Sequence, residues 1–106
     1  MKTGAVSWQE PGVLQVMGDV NFTTVTEVRQ AGEKLIDRAP SSFSVDLEGL
    51  TSAHSVVLSL LVRWLAHAKR QDKAFEIRGM PAKLFDVARV SGMETILPLA
   101  SVIGEL

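Results

Sequence analysis

Hydrophobic and polar residues alternate along several short stretches of the chain, and this period of two predicts β-strands. The first two stretches are residues 5–8 and 13–17. Between them Pro11 is followed by Gly12, a pair that suits the central positions of a type II turn. We therefore expect these two strands to form a hairpin.

Three later stretches also have the character of strands. The stretch around Val45 alternates apolar and polar residues, and residues 73–78 repeat that pattern. Residues 96–99 are a candidate last strand, which Pro98 would hold to a sheet edge because proline donates no ladder hydrogen bond. The chain is thus predicted to contain five strands.

Apolar residues spaced by three and four positions predict three helices. Thr24 and Glu27 match a capping box at the start of the first helix, which ends before Pro40. The second helix is predicted over residues 52–71. The third covers residues 81–91 and is followed by a glycine that suits the C′ position. The order β-β-α-β-α-β-α-β predicts an α/β fold in which helices pack against a mixed sheet with right-handed crossovers.

The second predicted helix has two contrasting faces. Its large apolar residues fall on one side, so Leu61 and Trp64 are expected to pack against a sheet containing Val45 and Ile77. The other side is smooth in its middle, where an ordinary solvated surface would carry more long charged side chains. We interpret it as a partner interface, with plain surface as the alternative. It comprises Ser52, Ser55, Ser59, Val62 and Ala66, flanked by Val56, Arg63, Lys69 and Arg70.

Composition limits the classes of function. The chain has 106 residues, enough for one domain over residues 1–106, and a net charge of −1 gives no global attraction to nucleic acid or anionic lipid. It contains no cysteine, which removes disulfides and thiolate metal sites. The N-terminus lacks the apolar run of a signal peptide, and no stretch is apolar for long enough to span a bilayer. A cytoplasmic protein without direct membrane insertion is expected.

The loop that enters the second helix is the leading candidate for function. A strand–loop–helix junction presents free backbone N–H groups and the positive end of the helix dipole to a docking partner. Thr51 or Ser52 is expected to cap the helix there. Ser52 has two further interpretations, as a partner contact and as a phosphorylation site. His54 is interpreted either as a surface residue or as part of the same contact.

The sequence contains no evident catalytic or metal-binding set. His54 and His67 lack a neighbouring carboxylate cluster, so neither a metal nor another cofactor is predicted. A hydrolase that uses Ser52 or Ser55 with His54 is the enzymatic alternative, although side chains adjacent in sequence rarely converge. Asp19 is interpreted as a turn residue.

Two aromatic residues lie outside the predicted helices. Trp8 and Phe22 are expected to pack at the rim of the sheet, and neither is assigned a function.

The predicted order and this junction resemble the STAS-domain family, the SpoIIAA-like fold of bacterial anti-sigma-factor antagonists. In that family the loop reads Asp-Ser-Ser-Gly, Asp-Thr-Ala-Gly or similar. Alignment from the strand at Val45 places Thr51 at the acid, Ser52 at the phosphorylatable hydroxyl, Ala53 at the small residue and His54 at the glycine. The changes at the acid and the glycine count against phosphorylation more than against docking.

Two further segments are similar to the MlaB subfamily, the STAS subunits of the Mla phospholipid transporter of Gram-negative bacteria. They are residues 61–70, Leu-Val-Arg-Trp-Leu-Ala-His-Ala-Lys-Arg, and residues 79–99. With the fold, the resemblance covers residues 5–99.

The resemblance implies a non-enzymatic regulatory subunit without a cofactor. Its partner would be the MlaF-like ATPase of an ABC-type phospholipid transporter, which would hold it at the cytoplasmic side of the inner membrane. An anti-sigma-factor antagonist switched by phosphorylation of Ser52 is the alternative. The predicted partner-binding residues are Thr51, Ser52, His54, Ser55, Val56, Ser59, Val62, Arg63 and Ala66.

Overall fold

Four strands form a mixed sheet in the computed structural model of the protein, which describes residues 4–103. They follow one another across the sheet in the order β1-β2-β3-β4. The first pair is antiparallel and the next two pairs are parallel. The strands are β1 (Ala5–Glu10), β2 (Val13–Gly18), β3 (Ser42–Leu50) and β4 (Ala74–Arg78).

Three helices connect or follow these strands, as the sequence predicts. They are α1 (Val25–Asp37), α2 (Val56–Lys69) and α3 (Ala82–Val90), and a 3₁₀ turn at Met93–Thr95 follows. A two-residue strand β5 (Met80–Pro81) pairs in parallel with β6 (Val102–Ile103). Within residues 4–103, no helix combines the length and the apolar character needed to cross a membrane.

The core forms where one face of the sheet meets the helices. Leu14, Val45 and Ile77 are aligned across β2, β3 and β4, and all three are fully buried. Leu61 and Trp64 of α2 are fully buried in the same apolar cluster. The prediction that the large apolar face of α2 forms part of the core is confirmed.

Trp64 also lies against α1, a contact that the sequence pattern does not indicate. Its indole N–H donates a hydrogen bond to the carbonyl oxygen of Arg29 at 3.1 Å, which satisfies the polar atom of a buried ring. The ring lies over Gly32, where an added Cβ would overlap a ring carbon. The two helices therefore pack closely because α1 has no side chain at this point.

The capping box predicted at the start of α1 is wrong. The Thr24 side chain makes no capping bond to the helix. Its hydroxyl instead accepts from the backbone N–H of Asn21 and donates to the carbonyl of Asp19, both at 3.0 Å. The Asn21 side-chain oxygen accepts from the N–H groups of Thr23 and Thr24. An Asx-type turn therefore satisfies donors before the helix begins.

The last predicted strand, residues 96–99, is also wrong. Only Leu99 forms a bridge to β4, at Ile77. The Ile77 N–H donates to the carbonyl of Pro98, and its carbonyl accepts from the N–H of Ala100. Proline has no N–H group to donate to a strand ladder, and regular strand pairing in this part of the chain starts only at β6.

The predicted turn and the predicted helix end are as expected. Gly12 has φ +84°, and Gly92, which directly follows the C-cap residue of α3, has φ +75°.

Candidate docking site

The helix α2 starts at Val56, four residues later than the sequence predicts. Residues 51–55 form a loop, and Ser55 occupies the N-cap position without a side-chain capping bond. Neither Thr51 nor Ser52 caps the helix, so that expectation is wrong. A phosphate on Ser52 would therefore lie in the loop before α2, three residues ahead of the N-cap residue Ser55.

The Ser52 hydroxyl is bound by a residue from another part of the chain, Asp19. One carboxylate oxygen of Asp19 accepts from the Ser52 hydroxyl at 2.6 Å and lies 3.0 Å from His54 Nε2. The other oxygen accepts from the Asn21 side-chain amide at 2.7 Å. We call these four residues the Asp19 cluster. Asp19 is therefore more than the turn residue that the sequence indicates.

Parallel strands explain why these segments meet. Gly18 at the end of β2 is aligned with Leu50 at the end of β3. The Thr51 N–H extends this contact by donating to the Gly18 carbonyl at 2.9 Å. Because parallel strands end at the same sheet edge, the residues that follow them, Asp19 and Ser52, are brought together.

The Asp19 cluster is an anionic site. Hydrogen bonds from Ser52 and then Asn21 lower the pKa of the Asp19 carboxyl, and His54 adds a smaller effect in the same direction. The Asp19 side chain is 36% exposed. The cluster therefore presents a fixed, partly solvated negative charge at the end of the molecule where α2 begins.

The nine residues predicted to bind a partner include Ser52 and His54 of this cluster and continue from it along α2. None of the nine is buried; Ser55, Ser59 and Ala66 are exposed and Val62 is half-buried. Spacings of four, three and four residues place these last four on one side of α2. We call the surface the docking face, and its role in partner binding stays a prediction. It consists of Thr51, Ser52, His54, Ser55, Val56, Ser59, Val62, Arg63 and Ala66.

Phe22, which directly follows Asn21 of the Asp19 cluster, is a candidate site residue that the sequence does not indicate. Its side chain is 83% exposed, so the expectation that it packs at the rim of the sheet is wrong. Trp8 does pack there, in an edge-to-face contact with Phe43 at a centroid distance of 6.3 Å. The turn residues around Phe22 indicate a loop, but the conformation of that loop depends on hydrogen bonds among Asp19, Asn21 and Thr24.

The cluster contains a serine, a histidine and an aspartate, but their order differs from that of a hydrolase. In a catalytic triad the histidine lies between the serine and the acid, so that it can accept the serine proton. Here Asp19 lies between Ser52 and His54 and binds both through one oxygen. This arrangement holds the loop in place, and the Ser52 hydroxyl donates its hydrogen bond to a carboxylate, which is too weak a base to remove the proton.

Comparison with known proteins identifies the family. The model of the MlaB STAS domain matches residues 5–99, and no curated protein matches the chain significantly. The fold is similar to the MlaB subunit in the Acinetobacter MlaFEDB complex in an ATP-bound conformation. That chain is 24% identical, with a TM-score of 0.79 over 91% of this chain and 99% of that one.

Anti-sigma factor antagonists have the same fold. Unphosphorylated SpoIIAA is 12% identical, with a TM-score of 0.71 over 95% of this chain and 89% of that one. An antagonist from Mycobacterium paratuberculosis is 21% identical, with a TM-score of 0.69 over 92% of this chain and 83% of that one. The predicted STAS-like fold is thus confirmed, and through the match over residues 5–99 the chain belongs to the MlaB STAS-domain family.

Proposed function

We propose that this domain is a regulatory subunit that binds the cytoplasmic ATPase of an ABC-type phospholipid transport system, one that maintains the lipid asymmetry of the outer membrane. Family membership and the fold likeness to a subunit of the MlaFEDB complex support this role. The domain would be held at the cytoplasmic side of the inner membrane by its partner. It would bind without catalysing a reaction.

The observation that carries the proposal is the chemistry of the docking face. Its middle contains short side chains, Ser55 and Ser59, which let another surface approach closely. The Asp19 carboxylate lies at one end, and the exposed Arg63 lies further along α2. A negative charge at one end of a smooth strip and a positive charge beside it specify the orientation in which a partner with complementary charges docks.

Regulation follows from differential affinity. A subunit that binds one conformation of the ATPase more tightly than another shifts the ATPase toward that conformation, and it cannot shift the equilibrium by more than the difference in binding free energy. The docking face is formed by a hydrogen-bonded loop and a packed helix. The domain can therefore act as a rigid surface that selects among conformations of its partner.

The test is Ser59→Arg, which places a long charge in the middle of the docking face. Folding stability should change by less than about 0.5 kcal/mol, because Ser59 is exposed. Affinity for the purified MlaF-like ATPase subunit should fall at least tenfold, because the added charge would be desolvated without a partner. Thermal unfolding and isothermal titration calorimetry measure the two effects.

The matched control is Ser91→Arg, the same substitution at an exposed residue after α3. It should leave both stability and affinity near wild-type values. If a well-folded Ser59→Arg protein binds the ATPase as tightly as the wild type does, the partner docks elsewhere.

A second candidate is an anti-sigma-factor antagonist, favoured by the contact between Asp19 and the Ser52 hydroxyl. Phosphate on Ser52 would remove a donor from the Asp19 carboxylate and place about two negative charges beside it, so the cluster would open. Mass spectrometry of protein isolated from cells distinguishes the candidates. Phosphoserine at position 52, together with a co-purifying kinase, would favour this second role over the first.

A further inference from the structure

We infer that Phe22 is the aromatic anchor of the docking interface and inserts into an apolar pocket of the ATPase subunit. This inference depends on the proposed function and adds the residue that would contribute most to the affinity. A phenylalanine that is 83% exposed leaves most of its ring in water. Burial of such a ring at the centre of an interface is a common source of binding energy.

The loop holds Phe22 in place through bonds on both sides. Asn21 accepts from two backbone N–H groups with its side-chain oxygen and donates to Asp19 with its amide. The Thr24 hydroxyl both accepts from Asn21 and donates to Asp19. The backbone at Phe22 is therefore fixed before binding, which lowers the entropic cost of using its ring as an anchor.

The loop that carries Phe22 is hydrogen-bonded to the docking face through Asp19. Asp19, three residues before Phe22, binds Ser52 at 2.6 Å and lies 3.0 Å from His54, and both of those residues belong to the docking face. A partner that covers Ser55 and the Asp19 cluster consequently also meets the loop that carries Phe22.

The surroundings of Phe22 define the kind of partner. Its sequence neighbours Asn21 and Thr23 are polar, and the ionised Asp19 lies close by. This negative charge disfavours an anionic bilayer as the occupant. Self-association through the same patch is also unfavourable, because two such patches brought face to face would place two ionised Asp19 carboxylates close together. The fitting partner is a protein with an apolar pocket and a cationic group at its rim.

The experiment compares Phe22→Ala with Phe22→Leu and with Val90→Ala, a matched truncation of a residue that is 87% exposed on α3. Calorimetry with the purified ATPase subunit should show that Phe22→Ala raises the Kd at least tenfold. Phe22→Leu should retain part of the affinity because it retains apolar volume. Val90→Ala should bind like the wild type, and all three proteins should unfold at nearly the wild-type temperature.

The outcomes separate this inference from the proposed function. If the wild type does not bind the ATPase, the proposed function fails. If the wild type binds, Ser59→Arg does not and Phe22→Ala binds normally, only the anchor is refuted. Two further results would also overturn the inference. If the wild type binds vesicles of phosphatidylethanolamine and phosphatidylglycerol and Phe22→Ala does not, Phe22 contacts lipid. If light scattering shows a dimer of the wild type that Phe22→Ala does not form, Phe22 serves self-association.

Discussion

Asp19 shows how a single residue can connect segments that are 33 positions apart in the chain. Its carboxylate accepts hydrogen bonds from Ser52 and Asn21, which together lower its pKa. We predict that Ser52→Ala moves the pKa of Asp19 up toward its ordinary value of about 3.9, because the largest stabilising donor is lost. An NMR titration of the Asp19 side-chain carboxyl carbon measures the change.

The same titration of a second variant, Asn21→Ala, provides a comparison with Ser52→Ala. Asn21→Ala should raise the Asp19 pKa less than Ser52→Ala does, since Ser52 has the larger effect. An Asp19 pKa that is the same in Ser52→Ala and in wild-type protein would show that the hydroxyl does not bind the carboxylate in solution.

At the scale of elements, the contact between α1 and α2 depends on the absence of a side chain at Gly32. Glycine within a helix costs about 1 kcal/mol relative to alanine, so Gly32→Ala would stabilise an isolated helix. In the folded domain the new Cβ would overlap the Trp64 ring, and overpacking of this kind costs about 1–3 kcal/mol. We predict that the overlap dominates and that Gly32→Ala lowers the free energy of unfolding.

A double-mutant cycle isolates this contact. Trp64→Phe removes the ring atoms nearest to Gly32, so Gly32→Ala should cost clearly less in that background than in the wild type. Urea denaturation of the four proteins gives the coupling energy. Equal costs in the two backgrounds would show that the indole is not what makes Gly32 necessary.

The elements also show how far the sequence predicts the structure. Periodicity located all three helices and the four strands of the sheet because alternation and helical spacing are local properties of the chain. Periodicity predicts that α2 starts at Ser52, because residues 52–55 are compatible with a helix. The helix starts at Val56. The hydroxyl of Ser52 is held by Asp19 instead, and a contact over 33 positions leaves no local signal.

Only part of the candidate site can be predicted from the sequence, because helical spacing is a local property of the chain and loop contacts are not. The smooth face of α2 follows from helical spacing, and Ser55 and Ser59 are exposed as expected. Asp19 and Phe22 belong to a loop whose conformation depends on Asn21 and Thr24, where a capping box was predicted instead. The sequence therefore indicates the helical part of the site and misses the loop beside it.

At the scale of the whole molecule, two carboxylates with lowered pKa values flank α1. Asp19 precedes the helix, and Asp37 ends it. The pKa of Asp37 is lowered first by a hydrogen bond from Gln71 at 2.6 Å and then by His67 at 2.8 Å. These bonds join the end of α1 to the end of α2 and the residues after it. Carboxylates before α1 and at its last residue thus connect α1 to the two ends of α2 through hydrogen bonds.

The stability of the domain should depend on pH through Asp19 and Asp37. In the unfolded chain both carboxyls have an ordinary pKa of about 3.9, whereas in the folded protein both values are lower. The folded state therefore binds these protons less tightly. Their contribution to stability is present above about pH 3.9 and is lost as the pH falls through the folded-state values. We expect wild-type protein to exceed the Asp19→Asn, Asp37→Asn double variant in stability at pH 7.

Urea denaturation from pH 7 to pH 2 tests this expectation, with Asp86→Asn as a control that removes only an exposed pairing to Arg89 within one helix. The wild-type and double-variant curves should approach each other below about pH 4, because both carboxyls are then becoming neutral in the wild type as well. Asp86→Asn should follow the wild type closely at every pH. If the double variant stays less stable by a constant amount down to pH 2, the loss comes from altered packing and the charges of Asp19 and Asp37 do not stabilise the fold.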